Sequence, residues 1–359
     1  MPTHPTPARA KSSRPTAKDE RGMHGASRLP GLRIDHYNLL VPDPDGEGFL
    51  GDRASQTAFR ELLETARQHH RTGKDPFGKT PSTELGKKEI DLVLVGGDPD
   101  AAHLVHLAVE EYARRLVHVV QVFLAQPQWK GVEKIVLGGG FPDHEAGGLA
   151  TRRAVCLLEH ADVDVSLHPL RHDADEGGLL GWVPLLPRTH RDRAAFLAVD
   201  VGGTNIRCGI VEHRLGKHPD GGKARVLEVL KWRHADDAPS RNEAVIRLAA
   251  MLNGLTAQAR TRGIDLAPFV GVACPGQVEA DGTLSHGAQN LPGDWEQPFK
   301  LPEALAAHLD PIDGNPPQVV LHNDAVVQGL SEHRRMRKTR RWAVLTIGTG
   351  LGNASYSNR

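Results

Sequence analysis

The segment AAFLAVDVGGTNIRCGIVEH, residues 194–213, places a glycine loop between two runs of β-forming residues. Two such runs joined by a short turn predict a β-hairpin. The loop consists of Gly202, Gly203, Thr204 and Asn205. Its glycines let backbone amides approach a bound anion, and Asp200, at the end of the first strand, could hold a hydrated Mg²⁺ ion beside it. An ordinary hairpin with a buried aspartate explains the same pattern.

The chain contains no GxxxxGK[ST] loop, and the glycine turn leads into a strand rather than the helix of a Rossmann fingerprint.

Two further apolar runs also end in glycine loops. The run at residues 340–353 ends in Gly348, Thr349, Gly350 and Gly352. The run at residues 132–147 leads through three consecutive glycines toward a predicted helix: Gly138, Gly139 and Gly140. A plain turn explains each loop. The functional alternatives are a second phosphate loop in the first case and a flat surface for adenine or ribose in the second.

A fourth run, residues 317–335, predicts a strand that ends at Asn323 and Asp324 and then enters a helix. Asn and Asp are common helix caps, so capping is one interpretation. The alternative is catalytic, because a carboxylate at a helix start can accept a proton from an alcohol that attacks a phosphoryl group.

Composition excludes several other classes of protein. The chain has 359 residues and 39% hydrophobic side chains, which suffices for two packed lobes. Lys+Arg and Asp+Glu both number 44, so no net charge favours nucleic acid or a membrane surface as a partner. Only three cysteines occur, without a CxxC pair, which argues against a disulfide framework or a cysteine zinc site. The polar residues 1–27 lack the apolar core of a signal peptide and predict a disordered tail. No uninterrupted apolar run approaches membrane-spanning length, so we expect a soluble, cytoplasmic protein.

Together the four segments resemble the ROK family, which comprises sugar kinases and sugar-responsive repressors of the actin-like ATPase superfamily. DVGGTNIR resembles the first phosphate motif, VGVACPGQV with HGAQNLPGDW the sugar-lobe segment, HNDA the catalytic motif and IGTGLG the second phosphate motif. The resemblance implies an α/β, two-lobed actin-like ATPase (ribonuclease H-like) fold. It also implies an ATP-dependent sugar kinase with ATP and Mg²⁺ between the lobes. Dimers are common in the family, so a homodimer is compatible with it.

The order of the segments differs from that of the family, whose remaining motifs follow the second phosphate loop. Here RIDHYNLLVPDPDG, IVLGGG and HDADEGGLLGWVPLL resemble those later motifs but precede it. The sequence therefore predicts a circular permutation, with Arg359 close to the segment near Gly25. Four divisions are predicted. Residues 1–27 form a tail, and residues 28–187 form a C-terminal-type lobe with the adenosine motif at 135–140. Residues 188–322 form an N-terminal-type lobe with the first phosphate hairpin, and residues 323–359 complete the lobe of 28–175.

The resemblance also implies roles for individual residues. Asp324 would be the general base, and Asp200 would lie near Mg²⁺, bound through water. The sugar hydroxyls would be held by Asn290, Asn323, His36 and the turn at Pro275 and Gly276. The phosphates and adenosine would be held by Gly202, Gly203, Thr204, Asn205, Gly348, Thr349, Gly350, Gly352, Gly138, Gly139 and Gly140.

Two positions depart from the family pattern. Arg33 stands where the family has a sugar-binding glutamate, and Gly51 stands where it has a second one. Because a guanidinium group prefers carboxylate or phosphate partners, a sugar acid or a phosphorylated sugar is an alternative substrate. A displaced alignment in this weakly similar stretch is the alternative explanation. Two functions follow from these observations: a sugar kinase, or a non-catalytic sugar or nucleotide sensor on the same fold.

Overall fold

The computed structural model describes residues 19–70 and 74–359. Within these ranges the chain forms a mixed α/β structure with two β-sheets, as the sequence predicts. The strands of the two sheets are β1 (Arg28–Leu29), β2 (Leu32–Tyr37), β3 (Lys134–Gly138), β4 (Ser166–Pro169), β5 (Ala195–Val201), β6 (Ile206–Glu212), β7 (Arg225–Trp232), β8 (Leu266–Cys274), β9 (Gln318–Asn323), β10 (Arg341–Ile347) and β11 (Leu351–Asn358).

The helices begin at recognisable caps. The Asp98 carboxylate accepts hydrogen bonds from backbone amides of the longest helix, in which Pro99 is the first residue. Ser240 and Glu243 form a reciprocal capping box at the next longest. The helices are α1 (Gln56–His69), α2 (Lys87–Val95), α3 (Pro99–Ala125), α4 (Glu145–His160), α5 (Ala174–Leu180), α6 (His234–Asp237), α7 (Arg241–Thr261), α8 (Leu301–Ala306), α9 (Asp324–Leu330) and α10 (His333–Met336), with short 3-10 helices at Leu50–Ala54 and Arg188–His190.

Five adjacent strands of the first sheet have the same sequence of parallel and antiparallel neighbours as the five strands of the second. The second sheet runs β7-β6-β5-β8-β9, in which β6 is antiparallel to both of its neighbours while β5, β8 and β9 are parallel. The first sheet runs β1-β2-β11-β10-β3-β4, and its last five strands repeat those directions. The central antiparallel pair of the second sheet, β5 and β6, precedes the other strands of that sheet in the chain. The equivalent pair of the first sheet, β10 and β11, follows all the other strands of its sheet.

The end of β11 lies beside the beginning of β2. Asn358 pairs with Leu32 in the antiparallel register, and the backbone amide of Arg359 donates a 3.0 Å hydrogen bond to the carbonyl of Gly31. The sequence predicts that Arg359 lies close to the segment near Gly25. The contact itself is made at Gly31, while the Gly25 amide donates to the carbonyl of Leu321 in β9.

The segment before β1 is folded from residue 19 onward. The Glu20 carboxylate accepts hydrogen bonds from the amides of Ser27 and Arg28, and the ring of the buried His322 bonds the carbonyl of Ala26. The prediction of a disordered tail over residues 1–27 is therefore wrong for residues 19–27, because these hydrogen bonds attach the segment to β9. Residues 1–18 lie outside the described part of the chain.

Three apolar clusters hold these elements together. One packs α1 to α4 against the first sheet, and another packs α7 and α8 against the second. The third lies between the sheets and includes Trp182, Phe196, Phe269 and Tyr356, together with residues of α5 and α9. A Cβ atom on Gly181 would lie 1.7 Å from the carbonyl oxygen of Val327, so only glycine permits this close packing of the two short helices. No helix among the described residues is long and apolar enough to cross a membrane.

Candidate active site

The loops that follow β5 and β10 line one cleft between the two sheets. The predicted hairpin is confirmed, since β5 and β6 are antiparallel on either side of residues 202–205. The Thr204 and Thr349 hydroxyls of the two loops lie 3.1 Å apart. A Cβ atom on Gly203 would lie 3.1 Å from the Thr349 hydroxyl oxygen. Glycine at this position therefore allows the two loops to approach each other without a side chain between them.

The start of α1 supports the second glycine loop. The backbone amide of Gln56 donates a 2.8 Å hydrogen bond to the carbonyl of Gly348, and the Thr57 hydroxyl donates one of the same length to the carbonyl of Thr349. Gly348, Thr349, Gly350 and Gly352 all line the cleft. Backbone groups of a glycine loop fixed in this way can be directed at an anion.

The third glycine loop divides into two parts. Gly139 and Gly140 line the cleft, whereas Gly138 does not. Gly139 has φ +81°, and a Cβ atom there would lie 2.4 Å from the carbonyl oxygen of Ile347 in β10. A Cβ atom on Gly138 would lie 2.5 Å from the Gln328 side-chain oxygen. The loop therefore requires glycine partly for packing, in addition to presenting a bare surface to the cleft.

In the segment around Asn323 and Asp324, the first residue caps the helix and the second is the candidate base. Asn323 caps α9, with its side-chain oxygen accepting from the amide of Val326 at 3.2 Å and its nitrogen donating to the carbonyl of Gly276 at 3.0 Å. Asp324 is the first residue of α9, and its side chain lines the cleft. Burial first, and the negative charge of Asp200 second, raise the pKa of Asp324 to about 7. Such a carboxyl group changes its protonation state near neutral pH, as a general base requires.

A charged network surrounds Asp200. Its carboxylate is buried, and Arg207 donates a 3.2 Å hydrogen bond to one of its oxygens. Arg207 also pairs with Asp175 at 2.5 Å, and Lys231 binds the same Asp175 at 2.8 Å. Burial raises the pKa of Asp200, although the charge of Arg207 opposes that shift. The network therefore holds the Asp200 carboxylate in a fixed position at the cleft.

The cleft brings together most of the residues predicted to contact a sugar, but not all of them. Asn290, Asn323 and Gly276 line it, as does Gly51. His36 lies on β2 and does not line it. The lining residues that follow this strand are Asn38, Leu39 and Leu40.

Arg33 also lies outside the cleft lining. Its guanidinium group forms a 2.6 Å ion pair with the buried carboxylate of Asp35. The interpretation that Arg33 selects a sugar acid or a phosphorylated sugar is therefore wrong, because this cation already has a carboxylate partner on its own strand. The side chain of Asn353 bonds both backbone groups of Leu39 and fixes this wall of the cleft.

The charged or polar residues of the cleft that sequence reasoning missed include Lys87, Arg207 and Gln328. Arg207 had a signal, because a four-residue hairpin loop after Val201 places it directly opposite Asp200 in the register. Lys87 and Gln328 had no such signal in the sequence, because each reaches the cleft only through the packing of its helix against distant strands. The Gln328 oxygen is buried, and no donor among the described residues is within hydrogen-bonding distance of it.

The donor set of the cleft suits Mg²⁺ bound together with phosphates. The described residues include no group of three or more His, Cys, Asp or Glu side chains that could hold a metal ion by themselves. Mg²⁺ needs only one or two carboxylates when substrate phosphates and water complete its octahedral shell. Asp200 and Asp324 both line the cleft and both have raised pKa values, so a cation beside them would relieve an unfavourable concentration of negative charge.

Comparison with known proteins gives a limited result. No family model matches the chain, and no curated protein matches it. Among solved structures, a ROK family glucokinase from Streptomyces griseus in complex with glucose and AMPPNP is 24% identical, with 46% of this chain and 45% of that chain covered and a TM-score of 0.33. A ROK hexokinase from Thermus thermophilus is 23% identical, with 44% and 45% covered and a TM-score of 0.30.

A hexokinase from Schistosoma mansoni complexed with glucose is 18% identical, with 46% of this chain and 41% of that chain covered and a TM-score of 0.34. The structural neighbours are thus sugar kinases and hexokinases, and the chain spans less than half the length of each of these three.

Proposed function

We propose that the protein is an ATP-dependent sugar kinase that transfers the terminal phosphoryl group to a sugar hydroxyl, with Asp324 as the general base. One observation carries the proposal. A carboxyl group whose pKa lies near 7 faces a cleft in which two glycine loops meet through Thr204 and Thr349. This arrangement offers a proton acceptor beside two loops suited to phosphate groups.

The reaction follows from these positions. Asp324 accepts the proton of the sugar hydroxyl as the hydroxyl oxygen attacks the terminal phosphorus atom. The bond between that phosphorus and the bridging oxygen breaks, and the electron pair leaves with ADP. The backbone amides of the glycine loops and the two threonine hydroxyls stabilise the charge on the transferred group. Catalysis therefore depends on positioning and charge stabilisation, without a covalent enzyme intermediate.

Asp200 is proposed to hold Mg²⁺ through water. Bound Mg²⁺ would neutralise phosphate charge in the cleft. Arg207 keeps the Asp200 carboxylate in place through its 3.2 Å hydrogen bond. Gly139 and Gly140 provide a surface without side chains for the adenosine group, in agreement with their place in the cleft lining.

The sugar is proposed to bind among the amide side chains of the cleft. Asn38 and Asn290 both line it. A Cβ atom on Gly350 would lie 2.5 Å from the Asn290 side-chain nitrogen, so this amide is next to the second glycine loop. Asn323 uses both of its side-chain groups for α9 and Gly276. We therefore assign Asn323 the role of positioning Asp324 and the Gly276 turn. These neutral donors and acceptors favour an uncharged sugar.

We further propose that the fold is a circularly permuted, two-lobed actin-like ATPase. Support comes from the identical strand order of the two sheets and from the reversed chain order of their halves. In this proposal one lobe comprises residues 188–322, and the other combines residues 28–187 with 323–359. The Arg359 to Gly31 hydrogen bond supports the proposal, because it brings the end of β11 beside the start of β2.

A non-catalytic sensor remains the second candidate. It is favoured by Arg33 and Gly51, which stand in place of the two expected sugar-binding glutamates, and by the position of His36 outside the cleft lining. Coupled detection of ADP release, with Mg-ATP and a panel of neutral hexoses, amino sugars, sugar acids and sugar phosphates, separates the two. A kinase releases ADP only when its sugar is present. Binding of sugar or nucleotide by calorimetry without any release of ADP would support the sensor.

A further inference from the structure

Lys87 enters the same cleft from α2. It is the first residue of that helix, and its Nζ atom donates a 2.6 Å hydrogen bond to the carbonyl of Gly140. A Cβ atom on Gly140 would lie 2.7 Å from Nζ, so glycine at this position leaves the space that the ammonium group occupies. Lys87 therefore presents a positive charge at the loop of Gly139 and Gly140, which is proposed to contact the adenosine group of a nucleotide.

The position of Lys87 conflicts with its local environment. The amino-terminal end of a helix carries partial positive charge and disfavours a cation, so local structure does not explain a lysine there. Lys88, the next residue, is exposed and does not line the cleft. A residue that opposes its local preferences and faces a cleft is a candidate for ligand binding.

Positive charge predominates around the Lys87 ammonium group. The charged and titratable groups that influence it or lie beside it on the packed elements are Arg60 of α1, Asp91 of α2, Asp143 and His144 before α4, Arg207 of β6 and Lys231 of β7. Burial first, and the charges of Arg207 and Arg60 next, lower the pKa of Lys87 to about 8. An anion placed among these groups would be attracted to all of the cations and would favour the charged form of Lys87.

We infer that Lys87 binds a phosphate oxygen of the nucleotide, on the side of the phosphates next to Gly140. The inference rests on the proposed function, because it assigns a further binding residue to the same nucleotide. Without nucleotide the ammonium group donates a hydrogen bond to the Gly140 carbonyl. When the nucleotide binds, the ammonium group donates to the phosphate oxygen, either in addition to that carbonyl or in place of it. A lysine can do so because its three donors lie on a flexible stem.

Calorimetric titration of the full chain with adenosine, AMP and ADP tests this contact. We expect Lys87→Gln to weaken ADP binding about tenfold or more and to leave adenosine binding within about twofold, since only the phosphates carry charge. Lys88→Gln is the matched control, because it removes the same charge from the next residue of the helix. That variant should bind ADP like the wild-type protein.

Proton uptake gives a second readout that a purely structural role would not change. At pH 8 the wild-type protein should take up protons on binding ADP, as Lys87 becomes fully charged. The binding enthalpy should therefore vary with the ionisation enthalpy of the buffer, and this variation should decrease in Lys87→Gln. Thermal melting without nucleotide checks that both lysine variants are folded.

The outcomes separate the inference from the proposed function. Equal weakening of adenosine and ADP binding in Lys87→Gln, or unchanged ADP binding, overturns the phosphate contact while the kinase proposal stands. A wild-type protein that binds no adenine nucleotide overturns both. A loss confined to the phosphate-bearing ligands, together with reduced proton uptake, supports the inference.

Discussion

The side-chain hydroxyls of Thr204 and Thr349 lie 3.1 Å apart, although 145 residues separate the two threonines in the chain. Each threonine follows a central strand of its own sheet, β5 or β10. The contact therefore joins equivalent loops of the two sheets at the cleft. Any anion bound there would meet both loops at once.

A double-mutant cycle on this pair tests the shared site. We expect Thr204→Val and Thr349→Val each to weaken ADP binding about tenfold, because each removes a hydrogen bond to a charged phosphate. The double variant should lose less than the product of the single effects, since the two hydroxyls contact each other. Calorimetry measures all four proteins, with Thr261→Val on α7 as a control. Unchanged ADP binding in either single variant would show that its loop does not contact the phosphates, and multiplicative losses would show that the two hydroxyls act independently of each other.

Gly139 and Gly348 should differ sharply in their tolerance of alanine. Gly139 has φ +81°, and an added Cβ atom would lie 2.4 Å from the Ile347 carbonyl oxygen. We expect Gly139→Ala to lower the free energy of unfolding by about 2 kcal/mol or more through backbone strain. A Cβ atom on Gly348 would lie 4.0 Å from the Gly350 carbonyl oxygen, an ordinary van der Waals contact, so Gly348→Ala should change stability little. Urea unfolding of both variants measures the difference, and equal effects would contradict the geometry.

Asp324 should make the protein less stable as pH rises. Its folded pKa of about 7 lies above the unfolded value of about 3.9. The folded state therefore binds the proton more tightly, and stability is lost as pH rises from about 4 through about 7. Between pH 5 and pH 8, the wild-type protein should lose about 2 kcal/mol more than Asp324→Asn.

Urea unfolding without nucleotide at both pH values measures that difference. Buried histidines such as His322, whose pKa burial lowers to about 4, titrate in both proteins and cancel in the comparison. Parallel pH profiles for the two proteins would show that Asp324 has an ordinary pKa.

Placing the segments in the order of the ROK family tests the proposed permutation. A chain that begins at Arg193, continues to Arg359 and is then joined directly to residues 1–192 retains every residue. We expect it to fold with a similar far-UV circular dichroism spectrum and to bind ADP. The new ends fall at Asp192, which is exposed and precedes β5. Failure to fold would indicate that the present chain order is required, and Asp192→Asn in the original order controls for the cut site.

Sequence patterns predicted much of the local structure of the cleft. The hairpin around Gly202 follows from two β-rich runs and a glycine turn, and the strand into α9 follows from the apolar run before Asn323. These features depend on neighbouring residues, which is why the sequence reveals them. Asn323 is the cap of α9, and Asp324 faces the cleft, so the two readings of this pair apply to different residues.

The remaining features depend on contacts between distant segments. Lys87 reaches Gly140 only because α2 packs beside α4 and α3, and no local pattern specifies that placement. His36 was assigned to the sugar from a weakly similar stretch, but the cleft lining begins at Asn38. The fold of residues 19–27 depends on hydrogen bonds to β9, which a polar composition does not indicate.

The most direct test of the proposed kinase is sugar-dependent ADP release by the wild-type protein and Asp324→Asn at pH 8, where the wild-type carboxyl group is mostly charged. Asp310→Asn, at an exposed position outside the cleft lining, is the matched control. We predict that kcat falls about 10²- to 10⁴-fold in Asp324→Asn, as expected for loss of a general base, while the control keeps wild-type turnover. Sugar-dependent turnover that survives in Asp324→Asn at the wild-type rate would contradict the account.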